Sequence, residues 1–549
     1  MASQIFSYRH ERLEYAIACV AISILTTFLV KLFRVRRRIW RLAKQGLPMP
    51  PYHPIFGHLL EARNIYSTMP PDAHPLYLPD QLRRKYPSIG PVFYVDMWPF
   101  TQPFLFANST TTAYQLMQEH PQVKADVTKN FMYPLTSNND LVSLEGQLWK
   151  EWRNALSPAF SANNLIVLLP QILEAVSTFM GVLEKHAQAN DTFYLEDAAI
   201  NMTMDVIGTV TLGARFDSQK SNHEFASALR EQMLWLTIKL NPLDGYNPIR
   251  PLAIAYYNSI MDKFLSQEID KRFGLHQRLD DFDGPSDSKK STVLGLAFER
   301  YTNTQQLRHP GNILTSEFKH FVMGQLKGLI LAGHGTTANT MCFVYYLLSK
   351  HPAALQRVRE EHDRVLGKDT SQTVSIILQR PHILNQLPYT LGIIKEALRL
   401  YPADSSPRRG SKNFSLKEEG RLFPTEGCQV WTIPQAIHRV PLYWPDTDAF
   451  IPERWLATAD DPLHPVKGAF RPFEFGPRNC IGQELAMLEL RLTLVLAIRK
   501  FDFDPRFEEW EQKNGVKSPR MVNGELGYQI LEGTNRPRNG FPCRVSLRG

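Results

Sequence analysis

The stretch RPFEFGPRNCIGQELAMLELRL, residues 471–492, decides how the rest of the chain is read. It sets Cys480, one of only five cysteines in 549 residues, directly before an apolar run with helical spacing. Gly476, Arg478 and Gly482 frame it. A helix starting near Ile481 would present free N–H groups and a partial positive charge to the thiol, and both favour the thiolate. The glycines remove side chains where a flat group could press on the backbone. Arg478 offers a cation to an anion nearby. Taken alone, a thiol in a Gly/Arg loop is more often an ordinary buried residue than a ligand.

The other cysteines (Cys19, Cys342, Cys428 and Cys543) are scattered, with no C-x-x-C pair. A zinc cluster or a disulfide scaffold is therefore disfavoured, and a reducing compartment is implied. A lone thiolate with neither a partner cysteine nor an adjacent histidine suits an axial haem ligand better than zinc. Length alone allows two to four domains and a large core.

The net charge of +8 invites a nucleic-acid reading, but its location argues against one. Lys31, Arg34, Arg36, Arg37, Arg38, Arg41 and Lys44 lie together in residues 31–44 with no acid, so the remaining chain is near neutral. This block follows an apolar run, residues 15–30, which Leu32 and Phe33 extend toward the ~20 residues of a spanning helix. The positive-inside rule places the basic flank and all that follows in the cytosol. A cleaved signal would carry its charges before the apolar run and a small-residue cleavage site after it. Cytosolic placement predicts that the sequons at Asn108, Asn190, Asn201 and Asn413 stay unmodified.

After the anchor, Pro48, Pro50, Pro51 and Pro54 predict a stiff, non-helical connector. Residues 92–107 read as short strands around a turn. Most of 140–400 has helical spacing, broken by polar loops at 216–224 and 281–292. One helix spans about 316–350, capped near Thr315 and Ser316 and stopped by Pro352. At 1.5 Å per residue it runs ~50 Å, enough to cross a domain. Prolines over 401–480 predict loops and short strands, and a last amphipathic helix covers 481–500.

Four further groups bear on chemistry. Glu396 and Arg399, at i and i+3, share a helix face and can pair, as a plain surface salt bridge would. Arg454, in FIPERW, can complete a Glu–Arg–Arg network with them. Trp149 and Arg153, at i and i+4, can meet a carboxylate together, or be a packing Trp beside a solvated Arg. In ILAGHGTTANT, residues 330–340, interior glycines cost about 1 kcal/mol each, which implies a helix that widens or is approached closely. Thr336 and Thr337 put hydroxyls there, and a packing notch with back-bonded threonines reads equally well. No G-x-S-x-G, P-loop or H-E-x-x-H is present.

In joint order these groups resemble the cytochrome P450 haem-thiolate monooxygenases over about residues 45–545. F-x-x-G-x-R-x-C-x-G is complete as Phe473, Gly476, Arg478, Cys480 and Gly482. E-x-x-R is Glu396 and Arg399, the P-x-R-aromatic element is Pro452, Arg454 and Trp455, and W-x-x-x-R is Trp149 and Arg153. The resemblance implies a mainly α fold with small β-sheets behind a single N-terminal transmembrane helix. The expected division is a lumenal N-terminus (1–14), a transmembrane anchor (15–33), a basic and Pro-rich linker (34–57) and a catalytic domain (58–549).

By the same resemblance, Cys480 is the axial ligand of haem b. Phe473, Gly476, Gly482 and Ala332 line the cofactor, and Trp149, Arg153 and Arg478 contact its propionates. Arg409 is a further propionate candidate, ahead of Arg408. Glu396, Arg399 and Arg454 form a structural network. The family's distal A-G-x-acid-T reads Ala332, Gly333, His334, Gly335, Thr336 here, so the acid is missing. Thr336 remains as the oxygen-activating hydroxyl; a water chain reaching His334 is the candidate replacement for the carboxylate, and a solvated or core histidine is the alternative reading of His334. Pocket candidates are Phe131–Leu135, 230–245, Leu329–Thr337 and the turn near Gly527.

The implied activity inserts one oxygen atom of O2 into a lipophilic molecule. NADPH electrons come through a separate NADPH-cytochrome P450 reductase, with cytochrome b5 as a second candidate donor. The implied location is the endoplasmic reticulum membrane, single-pass, with the catalytic domain cytosolic and no nucleic-acid partner. The chain looks most like fungal enzymes of secondary metabolism, acting on polyketides, terpenoids or alkaloids. The rivals are a haem-thiolate isomerase or dehydratase that needs no reductase, and a non-catalytic haem-binding membrane protein.

Overall fold

The computed structural model describes residues 2–236, 247–280, 292–305, 314–516 and 520–548. The expected loop at 281–292, save Thr292, and residues 237–245 of one pocket candidate lie outside them. The long helix forms over Ser316–Lys350. Thr315 is extended, and its hydroxyl accepts the Phe318 N–H at 3.3 Å, satisfying one of the free donors of the first turn. Pro352 opens the next helix instead of continuing this one.

The long helix runs through the main core. From Gly324 to Leu348 every residue is buried except Ala332, which is exposed, and Gly333 and Thr336, which are half-buried. Ala332 and Thr336 share a face at i and i+4. A break in burial on one face of a central helix marks an internal hollow. The helix is continuous there, so Gly333 and Gly324 serve close approach. A Cβ at Gly333 would lie 2.6 Å from Ile207, on the helix Leu195–Leu212, and one at Gly324 would lie 2.7 Å from Asn139.

The β structure is small, as expected. Strand β1 (Val92–Val95) pairs antiparallel with β2 (Phe104–Ala107), with Val92 opposite Ala107. Strand Gln429–Trp431 adds parallel to β2, and Arg408–Arg409 closes this four-stranded sheet antiparallel, with Arg408 opposite Val430. A hairpin of Gln529–Glu532 and Thr534–Pro537 packs beside the long helix.

The basic segment departs from expectation. The first helix runs unbroken over Ala2–Lys44, so residues 34–44 are its last turns and not part of an irregular linker. Arg36, Ile39 and Leu42 are buried, and Ile39 and Leu42 pack with Val92, Tyr94 and Leu105 of the sheet. The proline connector is docked as well: the Pro48 carbonyl accepts the Tyr94 N–H at 3.0 Å. Tertiary packing thus extends a helix that the charge pattern alone would end. Upstream, residues 13–30 are exposed and apolar, long enough with their neighbours to span a membrane. A second apolar helix, Ala162–Ala189, is half buried and belongs to the core.

Candidate active site

The loop before the last long helix is built around two positions. Gly476 has φ +83°, and a Cβ there would lie 2.4 Å from the Met117 carbonyl, so only glycine fits. The Cys480 N–H donates to the Phe473 carbonyl at 3.0 Å, closing the loop. The helix begins at Gln483 with Gly482 as N-cap, two residues later than the pattern suggested. Cys480 is exposed by surface area, yet burial raises its thiol pKa. The two facts agree if the sulfur opens on an internal hollow instead of bulk water. A Gly482 N–H hydrogen bond, Arg153 and Lys124 pull the pKa back without reversing the shift. Burial thus outweighs the loop's own contacts at the sulfur. A metal cation at the sulfur would supply the missing stabilisation.

Four cations gather beside it. The Arg478 guanidinium lies 4.3 Å over the Trp149 ring, donates to the Leu144 carbonyl at 2.8 Å and sits 3.4 Å from Glu145. Arg153, from the same helix as Trp149, donates to Asn479 at 2.9 Å. Arg408 is only 3 % exposed and gives its Nε–H to the Met117 sulfur at 3.2 Å. Lys124 bridges to Arg408 through the backbone, and burial, then Arg408 and Arg478, pull its pKa down to about 7. The Nη1 groups of Arg408 and Arg478 are buried with no hydrogen-bond partner among the described residues. Orphaned buried guanidinium donors are costly. Crowded cations with spare donors fit a bound dianion, as the two carboxylates of haem would be.

This corrects one assignment. Arg409 is half-exposed and ion-paired with Asp126 on the surface. Successive residues of a strand face opposite sides, so when Arg408 turns inward Arg409 turns out. Lys124 was missed entirely, because nothing local marks it. His334 also moves. Its ring is buried, with Nδ1 3.0 Å from the Ile330 carbonyl, and burial lowers its pKa to about 4, so it is neutral. Two residues from both Ala332 and Thr336, it lies on a different face of the helix. A water chain from the hollow to His334 has no support.

Thr336 stays at the hollow, its hydroxyl donating to the Ala332 carbonyl at 2.8 Å. Gly335 faces the C-terminal hairpin, where a Cβ would be 3.5 Å from Thr534 Oγ1. Gly527 is elsewhere: its N–H donates to the Tyr346 hydroxyl, ten residues or ~15 Å along the helix from Thr336. Thr534, not Gly527, is the C-terminal residue beside the distal motif. Leu135 and Phe131 pack into the main core.

The Glu–Arg–Arg network forms, fully buried. Glu396 accepts from Arg399 at 2.7 and 3.0 Å, Arg454 at 3.2 Å, the Trp455 indole at 3.1 Å and the Ile451 N–H at 3.1 Å. Arg399 also donates to the carbonyls of His438, Thr447 and Ala449, holding an irregular segment. The Trp455 indole adds a donor that a phenyl ring would not. His438 links this network to the cysteine loop: its Nδ1 lies 3.0 Å from the Arg399 carbonyl and its Nε2 accepts the Arg471 N–H at 2.8 Å.

The sequence model of the family described as cytochrome P450 matches residues 47–531. The chain is 38% identical over 541 residues to cytochrome P450 monooxygenase polC of Polytolypa hystricis, covering 98% of this chain and 96% of the relative. It is 31% identical to cytochrome P450 monooxygenase acrF of Aspergillus aculeatus, covering 88% and 99%. The crystal structure of the cytochrome P450DA heme domain superposes with a TM-score of 0.68 at 23% identity, covering 92% of this chain and 98% of that one, which supports the fold. The chain belongs to the cytochrome P450 family. It is a monooxygenase by class, and the family uses haem b with NADPH electrons through a reductase.

Proposed function

We propose that this chain is a membrane-anchored fungal monooxygenase that hydroxylates or epoxidises a lipophilic secondary metabolite, of polyketide, terpenoid or alkaloid type, on the cytosolic side of the endoplasmic reticulum. The carrying observation is a single thiol, exposed by surface area, beside four crowded cations, two of which carry orphaned guanidinium donors among the described residues. Haem, when bound, would supply the O2-activating chemistry, and the Cys480 thiolate would hold its iron. Arg153, Arg408, Arg478 and Lys124 hold its acid groups. The Trp149 ring stacks on Arg478 and fixes that guanidinium. Thr336 presents a hydroxyl to the hollow and can pass a proton. The relatives' fungal origin and the anchor helix support the substrate class and location. NADPH-cytochrome P450 reductase is the expected donor.

One observation favours the reductase-independent isomerase or dehydratase reading: Gly335 leaves the distal motif without its acid. The deciding experiment pairs a carbon monoxide difference spectrum of reduced membranes with turnover assays. A strongly red-shifted Soret band, absent in Cys480→Ser, and substrate oxidation that requires NADPH and reductase support the proposal. Turnover without either donor would replace it with the rival reading, and a band typical of histidine-ligated haem would remove Cys480 as ligand.

A further inference from the structure

Asp404 repeats the signature of Cys480. It is exposed by surface area, yet burial pushes its carboxyl up to about 6, against the pull of the Ser405 N–H and of Lys124. The same resolution applies: the carboxyl opens on an internal hollow. Lys124 acts electrostatically on both Asp404 and Cys480, which places carboxyl and thiol on one hollow. The Ser405 N–H donates to Asp404 Oδ1 at 2.7 Å. Among the described residues Asp404 accepts no other hydrogen bond and makes no ion pair.

The turn that carries Asp404 is fixed on both sides. The Pro402 carbonyl accepts the side-chain amides of Gln529 at 2.8 Å, Asn535 at 3.1 Å and Gln435 at 3.4 Å. The Trp431 indole N–H donates to the Ser405 hydroxyl at 2.9 Å. Asn339, three residues past Thr336 on the long helix, gives its side-chain amide to the Asn535 carbonyl at 2.8 Å. These bonds tie the turn to the hairpin beside Gly335 and to the long helix itself. A carboxylate on a braced turn is a preorganised acceptor, with little freedom left to lose on binding. Held away from bulk water without a counter-charge, it is also costly. Lys124 does not supply that charge in the holoprotein, because the haem's own acid groups claim it. A positive group on a ligand in the hollow would offset the cost.

We propose that Asp404 is the ionic anchor of the substrate, its carboxylate receiving a protonated amine, so that the lipophilic molecule oxidised here carries a basic nitrogen. Such an anchor rests on the function proposed above, and among its three substrate types selects the alkaloid one. A charge-assisted N–H···O bond at one wall of the hollow fixes which end of the molecule lies there, and so which carbons face the reacting side. Asp404 positions the substrate and moves no proton.

The test uses the full-length, haem-loaded protein in phosphatidylcholine nanodiscs and probes of one shape: N-octylpiperidine, protonated near neutral pH; octylcyclohexane, its neutral counterpart; and octylcyclohexanol, which offers a hydroxyl. Equilibrium dialysis reads binding without turnover, and comparing variants in the same nanodiscs cancels partition into lipid. Asp404→Asn should weaken N-octylpiperidine at least about tenfold and leave octylcyclohexane unchanged, while Asp404→Glu, which keeps the charge, should retain most of the amine affinity. Equal amine affinity in wild type and Asp404→Asn overturns the proposal, as does a wild type with no preference for the amine. A parallel loss of octylcyclohexane in Asp404→Asn, or of the amine in Asp404→Glu, overturns it by making the residue structural. An equal loss of octylcyclohexanol replaces the basic nitrogen with a hydroxyl donor. Turnover that needs neither NADPH nor reductase would remove the proposed function while leaving these affinities as they are, so the two failures are told apart.

Discussion

Replacing Arg408 and Arg409 one at a time should give opposite results, although they are neighbours in sequence. Arg408→Met keeps most of the buried volume and removes the charge. If the orphaned Nη1 donates to a haem carboxylate, the lost charge-assisted hydrogen bond is worth about 1.5–3 kcal/mol, or roughly a 10- to 150-fold faster loss of haem. The haem-free protein should respond the other way. Arg408 lies near Lys124 and Arg478, whose pKa values it pushes down, so removing it relieves like-charge repulsion and desolvation. The melting temperature of the apoprotein should stay level or rise. Arg409→Met breaks only a surface pair, worth about 0–1 kcal/mol, and should leave haem retention unchanged. Transfer of haem to excess apomyoglobin, followed at the Soret band, gives the rates, and scanning calorimetry of the apoproteins gives the second half. Equal haem loss in both variants, or none in Arg408→Met, would refute the reasoning. So would a large drop in apoprotein stability.

Glu396→Gln leaves two buried guanidiniums without their counter-charge and should cost about 3–5 kcal/mol, lowering the thermal transition and the yield of holoprotein, while Glu453→Gln on the surface should not. Thr336→Val should keep NADPH oxidation running while product per NADPH falls about tenfold or more and peroxide rises; unchanged coupling would discard the proton role. Gly335→Asp, with its Cβ in open contact near Thr534, should fold normally, and product per NADPH against wild type reads whether the missing acid limits turnover. Burial pulls His58 and His334 down to about 4 and His74 and His362 to about 3. Between those values and 6.5 the unfolded chain binds more protons, so stability is whole above pH 6.5 and falls as pH drops through the window. The slope is about 1.4 kcal/mol per pH unit for each histidine. A melting temperature flat from pH 6.5 to 5 would contradict this.

What the sequence made legible was what lies close together along the chain. The Cys480 loop, the Glu396–Arg399 pair and the Thr315 cap are each set by residues within a few positions of one another, and each appears where expected. Arg408 and Arg409 could not be separated that way. Which one faces inward is fixed by pairing with Val430 and by the bridge to Lys124, both remote in sequence. The roll of the long helix escaped for a similar reason. Ile207 seats against Gly333, and that contact carries His334 away from the hollow and turns Gly335 toward Thr534. The last turns of the first helix read as linker because their helicity comes from burying Ile39 and Leu42 on a sheet more than fifty residues away.

The bridging role of His438 bears on the order of assembly. The segment from His438 to Ala449 has little regular structure, and its carbonyls are gathered by Arg399. The cysteine loop hangs on that segment through one imidazole nitrogen, which can accept the Arg471 N–H only while the other nitrogen donates to the Arg399 carbonyl. This dependence predicts an order of assembly: the helix Pro388–Leu400 docks first, the irregular segment closes over it second, and the cysteine loop takes shape last. Pulse-labelled hydrogen exchange during refolding should protect those three stretches in that sequence. Early protection of the loop would rule the order out.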